Sequence, residues 1–194
     1  MKQSPLQLKW VSYPSASYDV IDDAEGDGSS GVYCEVEAEV RYAADGEHFA
    51  MVRIKNRADD ARSVYRFSIT AFASFSFDSK VARAAYKTPN AQSLVPLVAV
   101  NLCRIIFSGA REYLAMITSR APHGAAVLES VLLEPSDVRI RPIDMTPSQL
   151  IAKHFDASPE EVAQLEQAYK EFRDQNAKSL AKPGKKKVAK QRST

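Results

Sequence analysis

Residues 94–120 read LVPLVAVNLCRIIFSGAREYLAMITSR, and the spacing of their apolar side chains predicts a long helix. On a helical wheel, at about 100° per residue, these side chains cover an arc of roughly 220°. A helix that lies on one sheet needs an apolar stripe only modestly wider than about 100°. The surplus apolar surface therefore predicts a second covering surface, which is either a neighbouring subunit or another helix of the same chain.

A membrane would also cover such a helix, but the charged residues argue against it. A spanning helix needs about 20 predominantly apolar residues with few or no charges, whereas Arg104 interrupts this run early and Arg111 and Glu112 follow. The N-terminal sequence MKQSPLQLKW lacks the apolar segment of a secretory signal. The sequence therefore predicts a cytoplasmic protein that does not insert into membranes.

Charge is distributed unevenly along the chain. Residues 178–194 contain six lysines, one arginine and no acidic residue, so they carry +7 and leave −5 for residues 1–177 out of a net charge of +2. This segment has too few apolar residues to offset the entropy of ordering, and it is predicted to be a basic, disordered tail. Such a tail binds nucleic acid only non-specifically.

Four stretches before the long helix alternate between apolar and polar residues, as β-strands do. In VYCEVEAEVRY (32–42) the apolar residues share one face, and Glu35, Glu37 and Glu39 share the other. The Asp-Gly pair that follows predicts a hairpin turn. The predicted strands are 6–13, 32–42, 48–56 and 63–78, with 14–31 largely a loop.

The region that follows the long helix lacks a long helical period. Residues 121–143 mix apolar clusters with Gly and Pro, which predicts an extended crossover. TPSQ (146–149) and SPEE (158–161) each place a capping residue, a proline and Gln or Glu at the positions that start a helix. The second of these helices has a narrow apolar seam that predicts docking on the core or on a partner helix. The seam consists of Val162, Leu165, Tyr169 and Phe172.

The sequence contains no recognisable catalytic constellation. His48, His123 and His154 are isolated from one another and from any nucleophile or metal motif. The glutamates on the second strand are interpreted as a solvated face, because like charges in a row repel each other. Cys34 and Cys103 lack metal or redox spacing and are interpreted as reduced structural thiols. The sequence therefore predicts a protein that is not an enzyme and binds neither a metal nor a cofactor.

The stretch IIFSGAREYLAMITSRAP resembles the long helix of the SecB family of protein-export chaperones. In that family a Leu-Phe-Pro-Tyr-Ala-Arg-Glu run leads to Ser-Arg-Gly and an extended crossover. Ser108 and Gly109 replace the Pro-Tyr pair here. Four preceding strands and the crossover extend the likeness over about residues 5–140. The matching residues are Phe107, Ala110, Arg111 and Glu112, followed by Ser119 and Arg120.

The resemblance implies an α+β fold in which a four-stranded antiparallel sheet packs under the long helix. It implies a SecB-like domain at 1–140, to which the sequence adds a helical extension at 141–177 and the basic tail at 178–194. It also implies a homo-oligomer, a dimer of dimers, in which a second subunit would cover the surplus apolar arc. The residues implied at the subunit interface are Phe67, Ile69, Ala71, Leu102, Ile106 and Tyr113.

SecB-like proteins bind unfolded polypeptides in apolar grooves without ATP, and the resemblance implies the same function here. The implied clients are export-bound preproteins or, alternatively, the antitoxin of a toxin–antitoxin system. Engagement of the motor SecA is left open, because SecB proteins are strongly acidic and this chain is not. A nucleic-acid-associated adaptor acting through the lysine-rich tail is an alternative from a different class. The implied client-binding residues are Trp10, Tyr13, Phe75, Phe77, Val127, Leu128, Val131 and Leu132.

Overall fold

The computed structural model describes residues 4–21, 32–57, 63–88 and 90–180, with the backbone alone for 175–180. Within these ranges one mixed sheet of five strands packs with four α-helices. The strands are β1 (Leu6–Val20), β2 (Cys34–Ala43), β3 (His48–Asn56), β4 (Tyr65–Phe77) and β5 (Val138–Ile143). The helices are α1 (Ser79–Tyr86), α2 (Ala91–Thr118), α3 (Pro147–His154) and α4 (Pro159–Leu180).

The sheet has the strand order β1-β4-β3-β2-β5, and β5 is the strand that the sequence interpretation missed. β5 pairs in parallel with β2, while the other pairs are antiparallel. Val138 and Ile140 alternate with Arg139 and Arg141, and Pro142 is tolerated because β5 lies at an edge. The α+β class is as predicted, but the prediction of a four-stranded, purely antiparallel sheet was wrong.

The strand β1 continues to Val20, well past the predicted end at residue 13. Its register against β4 shifts once before Trp10 and again around Pro14. An edge strand accepts a proline and such irregularities, because one side of its backbone pairs with no neighbour. Residues 22–31 of the predicted loop lie outside the described ranges, as do residues 181–194 of the predicted tail.

The helix α2 packs on one face of the sheet, which we call the inner face, and the opposite face is the outer face. The buried side of α2 contacts β3 and β4. Burying one leucine or isoleucine side chain contributes roughly 1.5–3 kcal/mol, so this contact is the main source of hydrophobic stabilisation. Fully buried residues at the contact include Val52, Ile54, Leu94, Val98 and Leu114.

Five of the residues implied at a subunit interface belong instead to the core of the single chain. Phe67, Ile69 and Ala71 lie on the inner face of β4 and are 3%, 0% and 0% exposed. Leu102 and Ile106 of α2 are 0% and 2% exposed. These side chains have no surface to offer a second subunit in this fold, because their own helix and sheet already bury them. Their assignment to an interface is therefore corrected.

The helix α2 is long and apolar enough to span a membrane by length and composition alone, with a window of mean hydropathy 1.7. The helix meets this criterion of length and composition even though it contains Arg104. In the structure 56% of the window is buried inside the protein. A core helix of a globular domain has the same properties, so the packing is a better argument against membrane insertion than the charges are.

The two helices of the C-terminal extension begin at the predicted caps. The Gln149 N–H donates to the Thr146 hydroxyl at 3.2 Å, and the Glu161 N–H donates to the Ser158 hydroxyl at 3.2 Å. Glu161 also accepts the N–H of Ala91 at 2.8 Å, which connects α4 to the first turn of α2. The Ser158 N–H, which donates to the Glu161 carboxylate at 2.7 Å, is the largest cause that lowers the pKa of this carboxyl, followed by the Ala91 N–H. The extension is thereby joined to the long helix.

Two histidines pack against each other where α3 meets the sheet. The rings of His48 and His154 lie 4.7 Å apart between centroids, and His48 is also packed against Tyr42 and Phe75. Burial, followed by neighbouring His154, lowers the pKa of His48 to about 4, while Asp45 acts in the opposite direction. Burial, followed by Lys153, also lowers the pKa of His154. Both rings are therefore neutral near pH 7.

We expect acid to destabilise the fold through this pair. A histidine whose folded-state pKa lies below its unfolded value stabilises the fold fully above about pH 6.5, and the contribution is lost as the pH falls towards 4. His48 should account for about 2 kcal/mol of the loss in the free energy of unfolding at about pH 4.5. Urea denaturation at a series of pH values measures this loss. His48→Phe should flatten the pH dependence, whereas a profile as steep as that of the wild type would contradict the assignment.

Candidate functional site

The crossover, residues 119–137, runs along one side of α2 and is attached to the arginines of that helix. Arg104 donates to the carbonyl oxygen of Leu133 from Nε, at 3.1 Å, and from Nη2. Arg111 donates from Nη1 to the hydroxyl of Ser130 at 3.3 Å. The charges that interrupt the apolar helix thus hold an extended segment of the same chain.

The first part of the crossover is fixed by the end of α2 and by Val32, which lies just before β2. The Ala126 N–H donates to the buried hydroxyl of Thr118 at 2.8 Å. The Val32 N–H donates to the Val127 carbonyl at 3.0 Å, and the Val32 carbonyl accepts from the Glu129 N–H at 3.3 Å. The crossover side of the cleft is therefore attached to its own chain at both places.

A cleft of about 210 Å³ opens between α2 and the crossover. On α2, Ile105 and Met116 are 45% and 63% exposed, and on the crossover Val127 and Leu132 are 57% and 74% exposed. From Ser108 to Ala115 the α2 side of the cleft is about 10 Å long at 1.5 Å per residue. We call this cleft the α2/crossover groove. It is lined by Ser108, Arg111, Glu112 and Ala115 from α2 and by Val127 and Leu128 from the crossover.

The residues predicted to bind a client fall in different parts of the fold. Val127 lines the groove and is exposed, Leu132 is exposed elsewhere on the crossover, and Val131 is half-buried. Leu128 lines the cleft, but it is only 1% exposed and belongs to its floor. The prediction placed the crossover in the binding surface, and the structure leaves two of its four predicted side chains accessible.

Phe75 and Phe77 do not lie in the groove. Phe75 is 0% exposed, and its ring packs 5.9 Å from that of Tyr42 on the inner face. Phe77 is half-buried, and its ring lies 4.7 Å from that of Phe155 after α3. These aromatic residues form the contact between the sheet and the C-terminal extension. Their assignment to client binding is corrected, because α3 covers them.

Trp10 lies on the outer face, away from the groove. Its register partner on β4 is Ser74, and its ring stacks on Phe72 at 6.0 Å. The register shift between Leu8 and Trp10 causes this orientation, because Leu8 pairs with the inward-facing Phe75. Trp10 therefore cannot share one groove with the crossover residues.

Tyr13 and Tyr113 cover another side of α2. Their rings stack at 4.1 Å with an interplanar angle of 4°. Burial is the largest cause that raises the pKa of Tyr13, followed by the negative charge of Glu112. A Cβ atom on Gly109 would lie 3.2 Å from the Tyr13 hydroxyl, so glycine at this position makes room for the tyrosine. Tyr113, which was implied at a subunit interface, is partly covered within its own chain.

Ile105 and Met116 are exposed apolar residues of α2 to which the sequence interpretation assigned no role. Both belong to the apolar arc of α2, and eleven residues of helix bring them within about 20° of each other on the wheel. The signal was therefore present in the width of the arc. The wheel could not show which edge of the arc the sheet leaves uncovered.

The thiols near the groove are not activated. Burial raises the pKa of Cys34 to about 11, partly offset by Arg111, and burial raises the pKa of Cys103 to about 12. Both cysteines are free of disulfides. Among the described residues, no group of three or more His, Cys, Asp or Glu side chains could hold a metal ion.

Replacing Arg104 with leucine should loosen the crossover, because two donors to the Leu133 carbonyl are lost. A hydrogen bond from a charged group contributes roughly 1.5–3 kcal/mol, which corresponds to local amide exchange at least about tenfold faster. Hydrogen–deuterium exchange of residues 130–134 measures the effect. Arg120→Leu, at the exposed end of α2, is the control and should leave exchange unchanged. Equal exchange in Arg104→Leu and in the wild type would show that Arg104 does not anchor the crossover.

Comparisons with known proteins give weak likenesses only. No protein-family model matches the chain, and no curated protein matches it. A SecB-like chaperone of Mycobacterium tuberculosis, solved with a peptide of an antitoxin, is 14% identical with a TM-score of 0.44 over 66% of this chain and 88% of that one. A protein of unknown function from Streptococcus agalactiae is 11% identical with a TM-score of 0.39 over 65% of this chain and 97% of that one. Neither likeness is close enough to define a family or a function for this chain.

Proposed function

We propose that the α2/crossover groove binds extended apolar segments of unfolded polypeptides, and that the protein is an ATP-independent chaperone. The observation that carries the proposal is the open cleft between α2 and the crossover, with exposed Val127 in its lining and exposed Leu132 on the same crossover. Monomeric soluble proteins rarely leave large contiguous apolar patches exposed, and such patches mark binding sites.

The dimensions of the groove suit a polypeptide. The cleft runs about 10 Å along α2 from Ser108 to Ala115, which accommodates about three extended residues at roughly 3.3 Å each. Arg104, Arg111 and Thr118 hold the crossover against α2, so little conformational entropy has to be lost when a segment binds.

The proposed client class is unfolded polypeptide in general. Export-bound preproteins and an antitoxin are both included in the proposal, and the resemblance to SecB supports each of them. The cytoplasm is the compartment in which we propose that the protein acts. Engagement of SecA forms no part of the proposal.

A homo-oligomer remains part of the proposal, with a revised contact. Because Ile69 and Leu102 are buried within the chain, a second subunit would have to cover the exposed side of α2 at Ile105 and Met116. The crossover wall of the groove would then remain for the client. Light scattering of Ile105→Gln/Met116→Gln against the wild type tests this arrangement, and a monomeric wild type would exclude it.

The function is tested by suppression of aggregation. A slowly refolding protein is diluted from denaturant with and without the chaperone, with and without ATP, and at low and high salt. We expect delayed aggregation that needs no ATP and depends weakly on salt, because apolar burial drives the binding. Steep salt dependence that disappears on removal of residues 178–194 would favour the nucleic-acid adaptor instead. Absence of any delay at stoichiometric ratio would contradict the proposal.

A further inference from the structure

Two neighbouring rows of side chains cross the outer face of the sheet from β5 to β1. In strand register, the first row consists of Arg141, Arg41, Phe49, Ser74 and Trp10. The second row consists of Arg139, Glu39, Met51, Phe72 and Ser12. We call these two rows the outer band. With strands about 4.8 Å apart, the band is roughly 19 Å long.

One end of the outer band is cationic. The carboxylate of Glu39, on a residue that is 5% exposed, pairs with Arg41 at 2.6 Å, Arg141 at 3.2 Å and Arg139 at 3.6 Å. Three guanidinium groups around one carboxylate leave a surplus of two positive charges. The arginine side chains remain 43%, 53% and 68% exposed, respectively. A cleft of about 400 Å³ opens beside Glu39 and Arg139, and Glu37 and Asp137 also line it, so carboxylates lie next to the exposed guanidinium groups.

The other end of the outer band is aromatic. The rings of Trp10, Phe49 and Phe72 form a cluster with centroid distances of 5.8–6.5 Å. Trp10 is 45% exposed, while Ser74 between the strands is only 5% exposed. Met51 pairs with Phe72 and joins this cluster to Glu39. The cationic and aromatic ends are thus parts of one continuous surface.

The charges next to the outer band are already compensated. Arg53 pairs with Glu37 at 3.3 Å, and Lys55 pairs with Glu35 at 3.0 Å. The sequence analysis interpreted this glutamate face as solvated, and for Glu35 and Glu37 the structure agrees. Glu39 differs, because it is buried under arginines from both β2 and β5. The surplus positive charge is therefore localised at one end of the band.

We propose that the outer band binds an extended segment of a partner protein that carries acidic residues at one end and aromatic or aliphatic residues at the other. A length of roughly 19 Å corresponds to about six extended residues. Guanidinium groups pair with carboxylates through directional hydrogen bonds, and exposed aromatic faces provide large apolar contact areas. The outer band lies across the sheet from the α2/crossover groove, so this partner does not compete with a client for the same surface.

A polypeptide fits this surface better than single-stranded nucleic acid does. Proteins that bind single strands track the phosphate backbone with a positively charged groove along its whole length. Here the surplus is confined to the end with Arg139 and Arg141, and the carboxylates of Glu35 and Glu37 lie next to it. A segment with localised acidic residues matches this pattern of charge.

The chain contains a single tryptophan, so the fluorescence of Trp10 reports directly on the outer band. The probe is a synthetic peptide with an Asp-Asp pair and a Phe-Leu pair separated by a short Gly-Ser spacer. We expect it to change the tryptophan emission and to bind about tenfold more weakly to Arg139→Gln/Arg141→Gln. The control Arg66→Gln removes a positive charge from the same face outside the band and should bind within about twofold of the wild type.

Further arms of the experiment separate the alternatives. The peptide with Asn-Asn in place of Asp-Asp should bind about tenfold more weakly than the acidic peptide. Val127→Asp/Leu132→Asp, which alters the groove, should leave binding of the acidic peptide unchanged. The proposal is overturned if oligothymidylate binds as tightly as the acidic peptide, if the Asn-Asn peptide does, or if Arg139→Gln/Arg141→Gln binds like the wild type.

Discussion

Replacing Ile69 with arginine should unfold the chain, and should do more than separate subunits. Ile69 is 0% exposed on β4 beneath α2, so the guanidinium would be buried without a partner. An uncompensated buried charge costs on the order of 3–5 kcal/mol, which is a large part of the total stability of a small domain. Urea denaturation followed by circular dichroism should show a large decrease in the midpoint.

The adjacent residue provides a matched control. Thr70 follows Ile69 on the same strand and points to the outer face, so Thr70→Arg should change the free energy of unfolding by less than about 1 kcal/mol. If Ile69→Arg kept the midpoint of the wild type and only reduced the molar mass in light scattering, Ile69 would be an interface residue after all. The correction drawn from its burial would then be wrong.

Introducing aspartate at the crossover wall should abolish most client binding without unfolding the protein. In Val127→Asp/Leu132→Asp two exposed apolar side chains become charged, so the free energy of unfolding should change by less than about 1 kcal/mol. Losing the burial of two such side chains in the complex, at roughly 1.5 kcal/mol each, corresponds to affinity lower by about 100-fold. Anisotropy of a labelled, permanently unfolded client measures this affinity.

Two choices make this test specific. Leu128 is left unchanged because it is 1% exposed, and a charge there would disturb the floor of the groove. The control Val81→Asp places the same charge at an apolar residue of α1 that is 41% exposed and lies outside the groove. Equal loss of binding in the control would indicate a non-specific effect of charge, and full binding by the groove variant would show that the crossover wall does not hold the client.

The sequence patterns predict where the strands and helices lie better than they predict which side of each element is buried. The alternation in 32–42, 48–56 and 63–78 locates β2, β3 and β4, and the caps at Thr146 and Ser158 locate α3 and α4. These signals are local, because they depend on the pleat of one strand or the first turn of one helix. Short or interrupted signals were missed, namely the Val-Arg alternation of β5, the Asp78 cap of α1 and the continuation of β1 past Pro14.

The assignment of residues to the site failed where tertiary packing decides the outcome. The alternation in β4 shows that Phe67, Ile69 and Ala71 share a face, but it does not show whether their own α2 or a second subunit covers that face. For Trp10 the limit is the register shift after Leu8, which moves the indole to the outer face and has no clear signature in the sequence. The crossover was located correctly as a region, whereas the exposure of each side chain depends on anchors such as Arg104.

The central claim, that the α2/crossover groove holds unfolded polypeptide, is tested most directly by site-specific photo-crosslinking. A benzophenone side chain is placed at Val127 on the groove and, in a second protein, at exposed Gln164 on α4. Each protein is irradiated with an unfolded client and with the same client after folding. The groove position should crosslink to the unfolded client and not to the folded one, and Gln164 should crosslink to neither. Equal crosslinking from Gln164, or none from Val127 while aggregation is still suppressed, would contradict the account.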